Sequence, residues 1–465
     1  MQTLIRANGF GPFYHDGQEM LRRIFVTVRD GNWCEVSPTE WQCRPNEAER
    51  IIDVSARHRS ELVDFEWQGR LQLSGDGREL NFEVRGEAKK TMDVCRLGLI
   101  ILHPVDWMAG ATLTTRGPEG EQRLQVPASI SAQPILDGMP QAMTKPFSSM
   151  TISHPRRGRL ELKLAGELFE LEDQRNWGDA SFKTYCTPLK LGFPRRVRAG
   201  TEVMHRLEAR LDPLPMGCTS RGAPAERGLN LSRVTKIGRV APAPFESMHS
   251  YDWMIGWDHI RVDWDGLDDH RLDGLVARLP RGVSLKIGAA AEEASGLDPQ
   301  LVTWLNRHAT QISALIVSDP TRPLPTAAGI KRMRDILRGT AASQIPLLAS
   351  PTGYFVELNR QQPFELEVDG VAFPLSSTVH GGDVETILDN AHAVGDVVEA
   401  ARRLTAKKCV AISPLALYVP PRADSSCFPK RLIMPWLATL IAQASSAGAE
   451  SITLAADVID RLAGT

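Results

Sequence analysis

The feature that most constrains this chain is a change of hydrophobic period near its middle. From Met20 to about Leu211, apolar and polar residues alternate over short runs separated by Gly, Pro, Asn and Asp, the pattern of strands that bury one face. Ile24 to Val28, Leu71 to Leu73, Leu80 to Val84, Leu160 to Leu164 and Val203 to Leu211 all read this way. Gly75-Asp76-Gly77 joins two such runs as a hairpin, because Gly and Asp tolerate the positive φ of a tight turn. Many strands and almost no helical stretch predict a large antiparallel β-sandwich over residues 1–227.

The segment Pro213 to Arg227 is rich in Pro, Gly and small polar residues, and beyond it the rhythm becomes strand then helix. Eight short apolar runs begin at Ile237, Ile260, Val283, Ala314, Pro346, Val371, Cys409 and Ser451. Helical patterns lie between several of them: Arg271 to Leu279, Pro299 to His308, Ala327 to Leu337, Val384 to Leu404 and Leu432 to Ala447. That spacing predicts a TIM-like (β/α)8 barrel over residues 228–465, with helices one and five weak or missing. The whole is expected to be multidomain, α+β followed by α/β. A doubly wound sheet is the competing architecture, and no glycine-rich nucleotide fingerprint supports it.

Composition excludes several functions. Fifty-four Lys and Arg against 56 Asp and Glu leave a formal charge of -2, so no global field draws the chain to nucleic acid. No apolar run approaches the ~20 residues of a membrane helix, and the N-terminus lacks the layout of a secretory signal, so no membrane role is expected. The seven scattered cysteines include no C-x-x-C pair and read as reduced thiols of a cytoplasmic protein.

In a barrel, functional groups sit where strands end. Asp263 and Asp265 follow the second strand, Glu357, Asn359 and Arg360 the fifth, and His380 and Asp383 the sixth, flanking two glycines. Each has a plain alternative: Glu357 as an ion-pair partner of Arg360, Asp263 as a helix cap, His380 as a hydrogen-bonded loop residue. Together, carboxylates and an imidazole at one barrel end suit general acid/base hydrolysis. Asp265, His380 and Asp383 also suit a divalent metal, but no H-x-H or H-E-x-x-H spacing supports one, so no cofactor is expected. The first half holds its own polar run, Glu170 to Tyr185. Its Glu172, Asp173, Arg175, Asn176, Trp177 and Asp179 break the strand alternation, and an indole among hydrogen-bonding groups suits a sugar-binding surface. A buried ion-pair network is the alternative there. His103, beside Pro104, reads as structural.

Several stretches resemble the D-apionate lactonase family: LRRIFVTVRDGNW at 21–33, RLGLIILHP at 96–104, EDQRNWGDASFKTY at 172–185, YFVELNR at 354–360 and SSTVHGGD at 376–383. The resemblance covers most of the chain, and the 172–185 run is its specific part. It implies a β-sandwich joined to a barrel and hydrolysis of D-apionolactone to D-apionate in bacterial apiose catabolism. Members of that family are expected to continue past the eighth strand with a Tyr-Glu-Thr segment, so this chain, ending at Thr465, reads as a shortened member.

The expected function is therefore a carbohydrate lactonase acting on a small sugar lactone, with a homo-oligomer left open. Glu357 or Asp263 would be the base for water. His380 would polarise the carbonyl or protonate the ring oxygen, and Arg175, Asn176, Trp177, Glu172, Asp173, Asn359 and Asp383 would bind substrate. A glycoside hydrolase using barrel-mouth carboxylates and a non-hydrolytic, mutarotase-like sugar binder are the competing readings.

Overall fold

The computed structural model describes residues 4–6, 8–136, 138–213, 235–242, 252–264, 269–363, 365–406, 408–418 and 428–463. The expected boundary at Pro213 to Arg227 falls outside them, apart from Pro213. By compactness the chain forms two units: Met1–Gln174 with Ser181–Ala225, and Arg175–Ala180 with Glu226–Thr465.

The first unit is built around two large antiparallel sheets, with two small two-stranded ones beside them. One has seven strands, with Arg23–Asp30 and Met92–Pro104 at its centre and Ser181–Tyr185 and Glu170–Asp173 at one edge. The other has nine, running from Gly120–Gln125 through Glu202–Asp212 and Glu79–Ala88 to Pro38–Asn46. The alternation explains the packing: Ile24, Val26, Val28, Leu97 and Leu99 of the first sheet and Phe65, Trp67, Phe82 and Val84 of the second share one hydrophobic cluster. Asp64–Leu73 and Glu79–Ala88 pair across the Gly75 to Gly77 turn, as expected. His103 lies inside this unit, fully buried, with Nε2 2.8 Å from the Thr184 hydroxyl, and burial pushes its imidazole down to about 3.

The second unit is a closed barrel of eight parallel strands: Lys236–Val240, His259–Trp264, Ser284–Ala290, Ile312–Ser318, Leu347–Ala349, Gly370–Ser376, Cys409–Ala416 and Ser451–Leu454. Helices Pro299–His308, Ala327–Leu337 and Val384–Leu404 keep their expected bounds, and Asp269–Val276 starts and ends earlier than the pattern suggests. The fifth helix is present but short, in keeping with the weak pattern there: Phe355–Gln361 is only seven residues long. Tyr354 makes no side-chain cap, and Gln362 leaves in the left-handed region, so both ends lack an ordinary signal.

The barrel interior is partly filled by polar chains. Ala314, Ile316, Leu348, Ala372 and Ala411 form its small apolar cluster, leaving room for longer neighbours. Arg261, on strand two, donates to the carbonyl of Ser413 on strand seven at 2.7 Å, and this bond spans the interior because those strands are not neighbours. The Ser413 hydroxyl bonds Thr453, which also meets His259 Nε2 at 2.9 Å, while Lys286 bonds Ser451. Burial pushes the Lys286 ammonium down to about 8.

Candidate functional site

Six residues of the polar run leave the first unit's sheet and belong to the second unit. Glu170–Asp173 and Ser181–Tyr185 are antiparallel partners, with Asp173 opposite Phe182. Between them Gln174–Trp177 forms a 3-10 turn, and Gly178 follows at φ +88°. Glycine suits the positive φ of this position, and a Cβ on Gly178 would stand 3.0 Å from Leu375 Cδ1 of the sixth barrel strand, pressing that side chain aside.

The polar side chains of this excursion are held by the barrel unit. Arg175, fully buried, pairs with Asp396 of helix Val384–Leu404 at 3.0 Å. Asn176 accepts from Asn359 of the fifth helix. Asp179 Oδ2 lies 2.5 Å from His380 Nδ1, and Asp179 Oδ1 accepts from Asn390 Nδ2 at 3.0 Å. Asn390 is a junction: its Nδ2 also donates to the Ser377 carbonyl at 2.9 Å, and its Oδ1 accepts from the Ala180 N–H at 2.9 Å. The loop carrying His380 is itself fixed, because Trp436 donates to the Ser377 hydroxyl and Thr378 to the Leu417 carbonyl.

Trp177 joins this dyad to the fifth helix. His380 meets its ring edge-on with centroids 5.4 Å apart, and the Arg360 guanidinium lies 5.4 Å from its centroid. Arg360 in turn pairs with Glu357 at 2.7 Å. Arg175, Asn176, Asp179, Asn359 and Asn390 are buried, whereas Trp177, Glu357 and His380 are only partly so.

The expected site residues thus divide. Arg175, Asn176, Trp177, Glu357, Asn359 and His380 form one cluster. Asp383 caps the long helix instead: its carboxylate accepts from the Thr386 N–H at 3.1 Å and the Thr386 hydroxyl at 2.9 Å. Glu172 and Asp173 lie in the first unit, where Glu172 pairs with Lys183, its neighbour across the strands, at 2.9 Å. Asp263 is 57% exposed and held by Arg261 at 2.9 Å. Gly288 gives that pair its space, since a Cβ there would come within 1.9 Å of Asp263 Oδ1. Asp265 lies outside the described residues. Asn390 and Asp396 are missed by the sequence reading; their only signal is polarity within the mostly apolar register of a long helix.

One other group of described residues has the side chains of a metal site: Glu167, Cys186 and His205 of the first unit, with ligand atoms within 4.8 Å of one another. The Leu99 N–H donates to His205 Nδ1 at 3.1 Å, so the ring proton sits on Nε2, 3.8 Å from Glu167. Glu167 also accepts from Thr187 and Arg195, and the Cys186 sulfur lies 3.5 Å from the Leu99 carbonyl, with burial pushing its thiol up. An ion at Nε2 would have to displace that ring proton, so this arrangement fits a closed hydrogen-bonded knot better than a metal.

Comparison with known proteins agrees with this architecture. Residues 1–213 match the D-apionate lactonase N-terminal domain, and residues 283–425 match the D-apionate lactonase TIM barrel domain. A Brucella anthropi protein named D-apionate lactonase is 25% identical over 436 residues, covering 86% of this chain and 69% of that protein. Among solved structures, a putative aldose 1-epimerase from Escherichia coli K12 aligns over 44% of this chain and 93% of its own, at 11% identity and a TM-score of 0.28. A Cellulomonas fimi endo-beta-1,4-mannanase aligns over 49% of this chain and 66% of its own, at 15% identity and a TM-score of 0.33. Scores this low carry no argument, whereas the two domain matches together span most of the sequence: the chain belongs to the D-apionate lactonase family.

Proposed function

We propose that this chain hydrolyses a sugar lactone, with His380 activating water and Asp179 orienting the imidazole. The observation that carries the reading is the 2.5 Å contact between His380 Nδ1 and a buried Asp179 carboxylate. In a neutral imidazole bonded in this way Nδ1 holds the proton and Nε2 keeps its lone pair. Nε2 takes a proton from water as the water oxygen attacks the lactone carbonyl. The ring C–O bond then breaks, and the imidazolium returns that proton to the departing ring oxygen. The product is an open-chain hydroxy acid, which releases one proton as its carboxyl ionises. Asp179 steadies the imidazolium between the two transfers.

This replaces the expected base, Glu357 or Asp263, by His380. Both carboxylates are engaged by arginines, while His380 is paired with an acceptor suited to a general base. No step is routed through a metal, since Asp383 caps a helix and His380 Nδ1 is bonded to Asp179. D-apionolactone is the first substrate to test, on the strength of the family, and we place the reaction in the cytoplasm. The test is a pH-indicator assay over a panel of aldonolactones including D-apionolactone, corrected for spontaneous opening, with and without a strong chelator. Acid release that survives chelation and falls by about 10²–10⁴ in His380→Asn supports the reading. Unchanged turnover in that variant would remove His380 from the chemistry.

A further inference from the structure

We infer that Glu357, with Arg360 and Trp177, reads the hydroxyl groups of the substrate and so sets selectivity for polyhydroxylated over plain lactones; this rests on the lactonase reading above. Glu357 occupies the first turn of the fifth helix, beyond the fifth strand, and among the described residues only one of its carboxylate oxygens is bonded, to Arg360. The other is available, and the side chain is 21% exposed. Arg360 is itself seated on the Trp177 ring, and Trp177 touches His380, so the available oxygen lies in the same continuous cluster as the reacting imidazole. The carboxylate that serves His380 is that of Asp179, which leaves Glu357 to a different task.

The chemistry of these three groups is that of polyol recognition. A carboxylate oxygen accepts from a hydroxyl, a guanidinium beside it donates to the neighbouring hydroxyl oxygen, and an indole packs against ring C–H groups. A lactone without hydroxyls would leave the polar groups nothing to bond, and a site built to hydrogen-bond a hydroxyl discriminates strongly against an analogue lacking it.

The experiment compares D-ribono-1,4-lactone with γ-butyrolactone on the wild-type chain and on Glu357→Gln, together with calorimetric binding of ribono-1,4-lactam, an amide that resists opening. The expected result is a loss of about 30-fold or more in kcat/KM on ribonolactone, mostly through KM, against about threefold or less on γ-butyrolactone, with weaker lactam binding. Equal losses on both lactones through kcat would make Glu357 part of the chemistry and overturn the inference, as would no loss on either. Should the wild-type chain open no lactone at all, the lactonase reading falls by itself. The lactam titration then decides separately: weaker binding in Glu357→Gln upholds the recognition role, and equal binding overturns it.

Discussion

Asp179→Asn tests the dyad most sharply, because the surrounding bonds dictate how the new amide must turn. Asn390 has no freedom here: its Oδ1 accepts from the Ala180 N–H, so its Nδ2 points toward Asp179 and the Ser377 carbonyl. If the new amide presented its NH2 to Asn390, two donors would face each other in a buried site, costing about 1–3 kcal/mol. The amide therefore turns its carbonyl to Asn390 and its NH2 to His380. Nδ1 must then accept, and the ring proton moves to Nε2, where it blocks the lone pair that water needs. The expected loss in kcat is about 10²–10⁴, while stability falls by only about 1–2 kcal/mol because each bond is replaced by a neutral one. Acid release measures kcat, and circular dichroism with Tm checks folding. In Asp179→Asn combined with Asn390→Asp, the new carboxylate accepts the amide NH2 and returns the carbonyl to His380, at the cost of the bond to the Ser377 carbonyl. That double variant should recover at least about tenfold over the single one. A folded single variant within about threefold of wild type would refute the reasoning, since that is far short of what one acid/base group supplies.

Three further outcomes follow from other parts of the structure. Gly178→Ala forces a side chain into the left-handed region against Leu375, so Tm should fall by an amount equivalent to about 1–2 kcal/mol and kcat should fall with it as Asp179 shifts. Asp396→Ala should destabilise more than Arg175→Met, as read from urea midpoints, because it removes an acceptor from a guanidinium that no solvent reaches, while Asp396 keeps 13% exposure; the larger effect is about 3–5 kcal/mol. Burial holds His103 near 3 against an ordinary 6.5, so the unfolded chain takes up its proton first as pH falls; stability is complete above about pH 6.5 and drains toward pH 3 at up to about 1.4 kcal/mol per unit, a slope that His103→Gln should reduce.

The barrel is legible in the sequence because each strand is a short apolar run set off by helical periodicity, and the periods of 2 and 3.6 are local properties. The fifth helix is not, since seven residues make barely two turns, its first residue has no side-chain cap, and the left-handed position that ends it is taken by Gln362 rather than by glycine. Asp383 is legible in principle as a cap, with Thr386 three residues on, but its place at a strand end invites a binding role. The dyad itself joins residues 201 apart, and no local pattern encodes such a pairing.

What the sequence does carry is the failure of alternation between Glu170 and Tyr185. The strands on either side stay paired, with Asp173 opposite Phe182, so a continuous ladder does not require Arg175 to Ala180 to be there. Such an insertion of buried polar groups costs free energy unless each finds a partner. Here Arg175, Asn176, Asp179 and the Ala180 amide all find theirs within the barrel unit, on the fifth helix, the loop after strand six and the long helix. Compensation of that completeness explains how the excursion persists, but not why a chain would carry it in place of a short turn. Placing a carboxylate against His380 supplies a reason, and it makes the excursion separable from the sheet. Replacing Arg175 to Ala180 by a short turn should leave the antiparallel ladder of the first unit protected from hydrogen exchange while lactone turnover falls as far as in His380→Asn. Loss of protection along Met92–Pro104 would show instead that these residues serve the sheet.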